Sequence, residues 1–250
     1  MKPSPFLPLR ALTPARIAIG RAGSGVPTAE LLGFGLAHAR ARDAVHRALD
    51  VDAVVAGLRG LGLAPAVVRS AAPDRATYLR RPDLGRRLAE GQSIPKCGSD
   101  IGIVVADGLS ALAVERQAVP LVAALISLAP QRWAGAGSVV ALQGRVALGD
   151  GVGSAMGAKL VVVLVGERPG LSSPDSLGAY LTWAPRVGRV DAERNCVSNI
   201  RPQGLGYEAA ARRVDWLAAA GLARGLTGVA LKDESGLENQ GRTTISGPVG

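Results

Sequence analysis

The side chains with ligating or catalytic chemistry are few in this chain, and their spacing narrows what they could do. Glu167 follows an apolar run, in Gly166-Glu167-Arg168-Pro169-Gly170. A carboxylate there can accept hydrogen bonds from a ligand, or it can form a solvated charge pair with Arg168 on a connecting loop. The two cysteines, Cys97 and Cys196, are far apart and make no Cys-x-x-Cys pattern, so neither a disulfide scaffold nor a zinc site is expected. Both histidines, His38 and His46, fall two turns apart on one helix-like stretch. Metal ligation would want i, i+4 spacing or a carboxylate partner, so they read as surface or interface histidines. Gly151-x-Gly153-x-x-x-Gly157 fails as a nucleotide loop, because its glycines lead into a strand instead of following one. No P-loop, Gly-x-Ser-x-Gly elbow or His-Glu-x-x-His occurs. General acid–base chemistry wants a base with a tuned pKa beside its proton, and no such pairing stands out. What remains is a set of polar loops suited to holding a large flat cofactor.

The elements that must position these residues are regular from Asp100 onward. Ile101–Ala106, Ser138–Leu142 and Leu160–Val165 are short apolar runs bounded by turn residues, which reads as buried parallel strands. Leu109–Leu128, interrupted at Pro120, and Val146–Gly157, weakened by Gly149, Gly151 and Gly153, are the intervening helices. Gly178–Trp183 is expected as a fourth strand at an edge, and Tyr207–Gly221 as a closing helix. The alternation predicts an α/β, Rossmann-like, mainly parallel doubly wound sheet with an N-terminal helical region. Parallel strands place the loops Asp107–Ser110, Gln143–Val146 and Gly166–Leu171 on one edge, where ligands of open α/β sheets bind. The polar segment Asn195–Asn199 is expected as a loop joining them from the far side.

The rest of the chain divides into an N-terminal arm and helical region over 1–95, the strand-bearing domain over 96–222, and a disordered tail over 223–250. Residues 1–14 are proline-rich, and Ile17–Gly25 reads as a turn. A helix opens at Thr28 after Pro27, another piece runs to about Gly60, and Pro65–Ser70 is strand-like. Thr77–Gly91, with Arg80, Arg81, Arg86 and Arg87, is either a charged partner surface or a solvated basic helix. With 250 residues, 48% of them hydrophobic, the chain can bury a sizeable core. The net charge of +9 permits a nucleic-acid surface, but aromatics are only 3% and leave little to stack on bases. The N-terminus does not read as a signal peptide and no run of about 18 apolar residues stands out, so a cytoplasmic protein that neither spans a membrane nor binds nucleic acid is the expectation.

Leu36–His46, Tyr78–Leu88, Asp100–Val114, Leu164–Arg186 and Glu193–Gly204 together resemble the small (light) subunit of ethanolamine ammonia-lyase, a likeness covering roughly residues 12–218. The resemblance implies a lyase that uses adenosylcobalamin to convert ethanolamine to acetaldehyde and ammonia by a radical route. It implies a large subunit with a (β/α)₈ barrel carrying the chemistry, a small subunit covering the corrin, and a hetero-oligomer with several copies of each. It also implies no catalytic residue and no metal ligand on this chain, but cobalamin contacts at Val146, Glu167 and Cys196. The Asp-x-His-x-x-Gly motif of base-off cobalamin proteins is absent, which favours base-on binding with Cys196 off the cobalt. Enclosure in a bacterial microcompartment is left open by the family context.

Overall fold

The computed structural model describes residues 6–13 and 15–236. A six-stranded sheet lies at its centre in the order β1-β3-β2-β4-β5-β6. The strands are β1 (Ala66–Arg69), β2 (Ile101–Ala106), β3 (Gly137–Leu142), β4 (Leu160–Gly166), β5 (Leu177–Trp183) and β6 (Arg194–Ile200). β1, β3, β2 and β4 run parallel. β5 is antiparallel to β4, and β6 is antiparallel to β5. The α/β class therefore holds, while the doubly wound, mainly parallel description is corrected to a mixed sheet. The reason is local: the 166–177 and 183–194 connections carry no helix long enough to cross a face, so each strand after β4 returns beside its predecessor.

β2 and β4 are buried along their whole length, as near-continuous Val, Ile and Leu runs require. Alternate residues feed two cores. Ile101, Ile103 and Val105 with Leu160, Val162 and Leu164 face one; Val104 and Ala106 with Val161, Val163 and Val165 face the other. The first is covered by α2 (Val51–Gly60), α4 (Ala111–Leu128), α5 (Pro130–Trp133) and α7 (Tyr207–Arg224), the second mainly by α6 (Leu148–Met156). α4 runs unbroken through Pro120. Its buried stripe, Ala113, Val114, Gln117, Leu121 and Leu125 among others, holds a helix that the proline alone would interrupt. α4 is long and apolar enough by composition to cross a membrane, with 44% of its length buried against the rest of the chain. Two of the three glycines of α6 have a packing role: a Cβ would sit 2.2 Å from Val163 Cγ2 on Gly149 and 2.8 Å from Pro185 Cγ on Gly153.

Two further helices complete the chain, α1 (Thr28–His46) and α3 (Arg75–Arg80). Thr28 is the first residue of α1 and gives it no side-chain cap. Only Ala44 of α1 is buried, and Leu31, Leu32, Phe34 and Leu36 are 60%, 68%, 45% and 53% exposed. His38 and His46 are exposed as well. At the other end, α7 continues to Arg224, a 3₁₀ turn spans Gly228–Ala230, and Leu231 is buried. Order thus extends beyond the point where periodicity fades at 222, and the expected tail from 237 to 250 lies outside the described residues.

Candidate functional site

Because β2, β3 and β4 are parallel, their C-terminal loops converge at one edge. Glycine makes the convergence close. A Cβ on Gly108, whose φ is +57°, would lie 2.2 Å from the carbonyl oxygen of Gly166. Leu109 N–H donates to that same carbonyl at 2.9 Å. The loop after β3 is fastened by Asp107, whose buried carboxylate accepts the N–H groups of Gln143 and Gly144 at 3.0 and 2.9 Å. Gln143 holds a left-handed φ of +55° in that turn. Burial pushes the Asp107 carboxyl above the usual range, against the pull of Arg75 and of these amides.

These loops surround an open cleft of about 470 Å³, lined by Gly108, Arg145, Val146, Glu167, Arg168, Tyr78 and Tyr180 among others. Val146 and Glu167, far apart in sequence, therefore share one wall system. Glu167 is braced: the Ser176 hydroxyl and the Asn199 N–H (3.3 Å) both donate to its Oε2, and its own N–H donates to Ser176 O at 2.9 Å.

Cys196 arrives by a different route from the one the sequence suggests. The Asn195–Asn199 segment is not a loop from the far side but the body of β6, an edge strand. Two antiparallel reversals restore β6 to the direction of β4, which carries Asn199 to the cleft edge. Cys196 sits opposite Tyr180 in the β5–β6 register. The thiol is free, and its residue is exposed on the edge strand. Desolvation holds the thiol above its ordinary pKa, Tyr180 opposes this, and the charge of Glu167 adds to it. A protonated thiol is a poor nucleophile and a poor metal ligand. Tyr180 is itself pushed upward, by desolvation first and then by its Cys196 and Glu167 neighbours.

Tyr78, Arg145 and Tyr180 were not singled out in the sequence. Tyr78 is fully buried, with its ring between the guanidinium groups of Arg75 (4.8 Å) and Arg145 (4.6 Å) and its hydroxyl donating to Gly144 O at 3.2 Å. The basic stretch 77–91 thus sends its one aromatic inward as a wedge under the β3 loop. Scarcity was the available signal, since the chain has only three tyrosines.

Fold and cleft define a subunit that offers a main-chain-built platform, open on one side, without paired acid–base or nucleophilic machinery among its described residues. A family model, the ethanolamine ammonia-lyase light chain (EutC), matches residues 3–232. The chain is 56% identical over 238 residues to the ethanolamine ammonia-lyase small subunit of Bradyrhizobium diazoefficiens, covering 92% of this chain and 91% of that one. It is 52% identical over 246 residues to that of Azotobacter vinelandii (93% and 89%), and 51% over 247 to that of Xanthomonas campestris pv. campestris (95% and 91%). The chain belongs to the ethanolamine ammonia-lyase light-chain family, the small-subunit side of a lyase.

Proposed function

We propose that this chain serves as the non-catalytic small subunit of an adenosylcobalamin-dependent ethanolamine ammonia-lyase, its cleft forming one half of a cofactor site completed by the large subunit. The observation that carries the reading is the meeting of Val146 and Glu167 in one open cleft, with Cys196 the β6 register partner of Tyr180, which lines that cleft. The residues fit such a group. The cleft is open, Gly108 and Gly166 bring main chain to its wall, and among the described residues the buried Gln143 Oε1 and Arg145 Nε of the β3 loop have no hydrogen-bond partner.

The chemistry the cofactor supplies when bound is homolysis of its cobalt–carbon bond, which starts the radical conversion of ethanolamine to acetaldehyde and ammonia. Orientation and electrostatics are the protein's share. Glu167, held by Ser176 and Asn199, accepts hydrogen bonds from corrin amides or the nucleotide-loop hydroxyl. Val146 and Cys196 contribute packing and backbone contacts, and no residue of this chain is assigned to cobalt. The working form is a hetero-oligomer with the large subunit, in the cytoplasm or enclosed there in a microcompartment. Nothing in the family placement favours the nucleic-acid alternative.

The test is reconstitution. The chain is mixed with a large subunit and adenosylcobalamin, and acetaldehyde formation from ethanolamine is followed, with Glu167→Ala in parallel. Activity that needs both chains, with a raised cofactor requirement in the variant, supports the reading. Activity indifferent to this chain, or shown by this chain alone, overturns it.

A further inference from the structure

Arg201 follows β6 directly and does not line the cleft; its side chain is only 9% exposed. We propose that Arg201 is a positioning residue for Glu167: its guanidinium pins together the two segments that hold that carboxylate, and so fixes the direction in which Glu167 meets the cofactor. The proposal rests on the cofactor reading above, but the residue it names acts only through others.

Two segments reach the Glu167 carboxylate. The connection after β4 supplies the Ser176 hydroxyl, and the end of β6 supplies the Asn199 N–H at 3.3 Å. Asn199 holds a left-handed φ of +58°, a conformation that asparagine tolerates but does not enforce. Arg201 ties the two segments to each other. Its Nε donates to Asn199 Oδ1 at 3.0 Å, and its Nη1 donates to Ser172 O at 3.2 Å, with Asp175 Oδ1 3.9 Å away. The turn around it is closed by the Arg201 N–H to Leu205 O at 3.1 Å and by the Leu205 N–H to Asn199 O at 2.8 Å. Gly204 permits the closure, since a Cβ there would lie 2.4 Å from Asn199 O. On the other side, Asp175 is anchored to α4: its carboxylate accepts from Arg116 at 2.9 Å and its carbonyl from Gln117 at 3.2 Å. Arg201 thus carries the rigidity of α4 across to the backbone amide that touches Glu167. A planar guanidinium spans acceptors on two segments at once, which one ammonium group does not. A carboxylate already held in one rotamer gives up less freedom when it binds.

The experiment is a double-mutant cycle read by equilibrium binding of adenosylcobalamin to the complex of this chain with the large subunit. Arg201→Gln and Arg201→Lys are each made in the unaltered chain and in Glu167→Ala, and thermal unfolding shows which variants fold. Arg201→Lys keeps the positive charge beside Asp175 and carries the test if Arg201→Gln does not fold. With Glu167 present, each Arg201 variant is expected to weaken cobalamin binding on the order of fivefold, as for ordering one side chain at the moment of binding. With Glu167 replaced by alanine, the same variants should change the affinity no further, because the group they position is gone. Equal weakening in both backgrounds means that Arg201 only supports the fold, and overturns the proposal. So does Arg201→Lys binding as tightly as the unaltered chain, since that leaves the fork without a role. In both of those cases a weaker Glu167→Ala complex keeps the cofactor reading intact. A Glu167→Ala complex that binds cobalamin as well as the unaltered one fails earlier, at the Glu167 contact itself, and takes the positioning role with it.

Discussion

Arg194 and Asp150 form a bidentate ion pair of 2.6 and 2.7 Å in which each side chain is only 2% exposed. The pair locks α6 to β6, and so fixes the element that begins just after Val146 against the strand that carries Cys196. Thr182 Oγ1 and Arg189 O accept further bonds from the same guanidinium, at 2.9 and 3.0 Å. Removing one partner strands a buried charge, which typically costs about 3–5 kcal/mol. Asp150→Ala is expected to lower the melting temperature by on the order of 10 °C. Replacing both residues with apolar ones of similar volume should restore most of that loss. Thermal unfolding of the two variants checks both statements.

The contact between Gly108 and Gly166 gives a second prediction. Gly108→Ala adds a left-handed backbone cost of about 1–2 kcal/mol to an overpacking cost of about 1–3 kcal/mol. Gly62 is the control, since it shares a positive φ of +82° but would place a Cβ in open space. Denaturant melts should therefore show Gly108→Ala well below Gly62→Ala in stability, and equal losses would mean the loops do not meet as described.

Alkaline titration offers a third. All three tyrosines have raised pKa values, each chiefly through desolvation, and Tyr78 reaches about 12. A folded pKa above the unfolded one near 10 means the native state holds the proton more tightly. That contribution to stability is complete below pH 10 and fades as the pH rises toward 12. Tyrosinate absorbance of the native chain should rise later than that of the unfolded chain, with the Tyr78 share appearing only near pH 12, together with loss of ellipticity. Full ionisation of all three tyrosines near pH 10 with the fold intact would contradict the buried wedge.

Arg75 supplies a fourth. Its Nε donates to Val45 O and its Nη1 to Gly108 O, both at 2.7 Å, with Asp107 3.5 Å away. One side chain thus ties the C-terminal end of α1 to the cleft. Hydrogen bonds from a charged donor are worth about 1.5–3 kcal/mol, so Arg75→Ala should speed amide exchange across 43–47 by about ten- to a hundredfold. Unchanged protection there would show that α1 is held by other contacts.

The sequence was most legible where burial is two-sided. β2, β3 and β4 announce themselves as continuous aliphatic runs, and once they are parallel their loops must share an edge, which brings Val146 and Glu167 together. β6 was hidden because Arg-Asn-Cys-Val-Ser-Asn-Ile is polar on its outward side, as an edge strand that resists further pairing should be. The direction of β5 is set by the 166–177 connection, which carries no helix to cross a face, and the strand pattern of Gly178–Trp183 does not record it. Pro120 looked like a break because propensity was weighed without the stripe that packs α4. The Arg194–Asp150 pair spans 44 residues and leaves no spacing signature. The Tyr78 wedge is equally nonlocal, its partners Arg145 and Gly144 lying more than 60 residues onward.

The uncovered half of α1 has a consequence for the life of the chain in the cell. Gly33 and Gly35 weaken this helix intrinsically, and Leu31, Leu32, Phe34 and Leu36 present apolar surface around it. Chaperones and proteases read such surface as unfinished folding. A helix that presents this much apolar surface is open to that reading for as long as it stays uncovered, so the lifetime of the chain is tied to the exposure of this one helix.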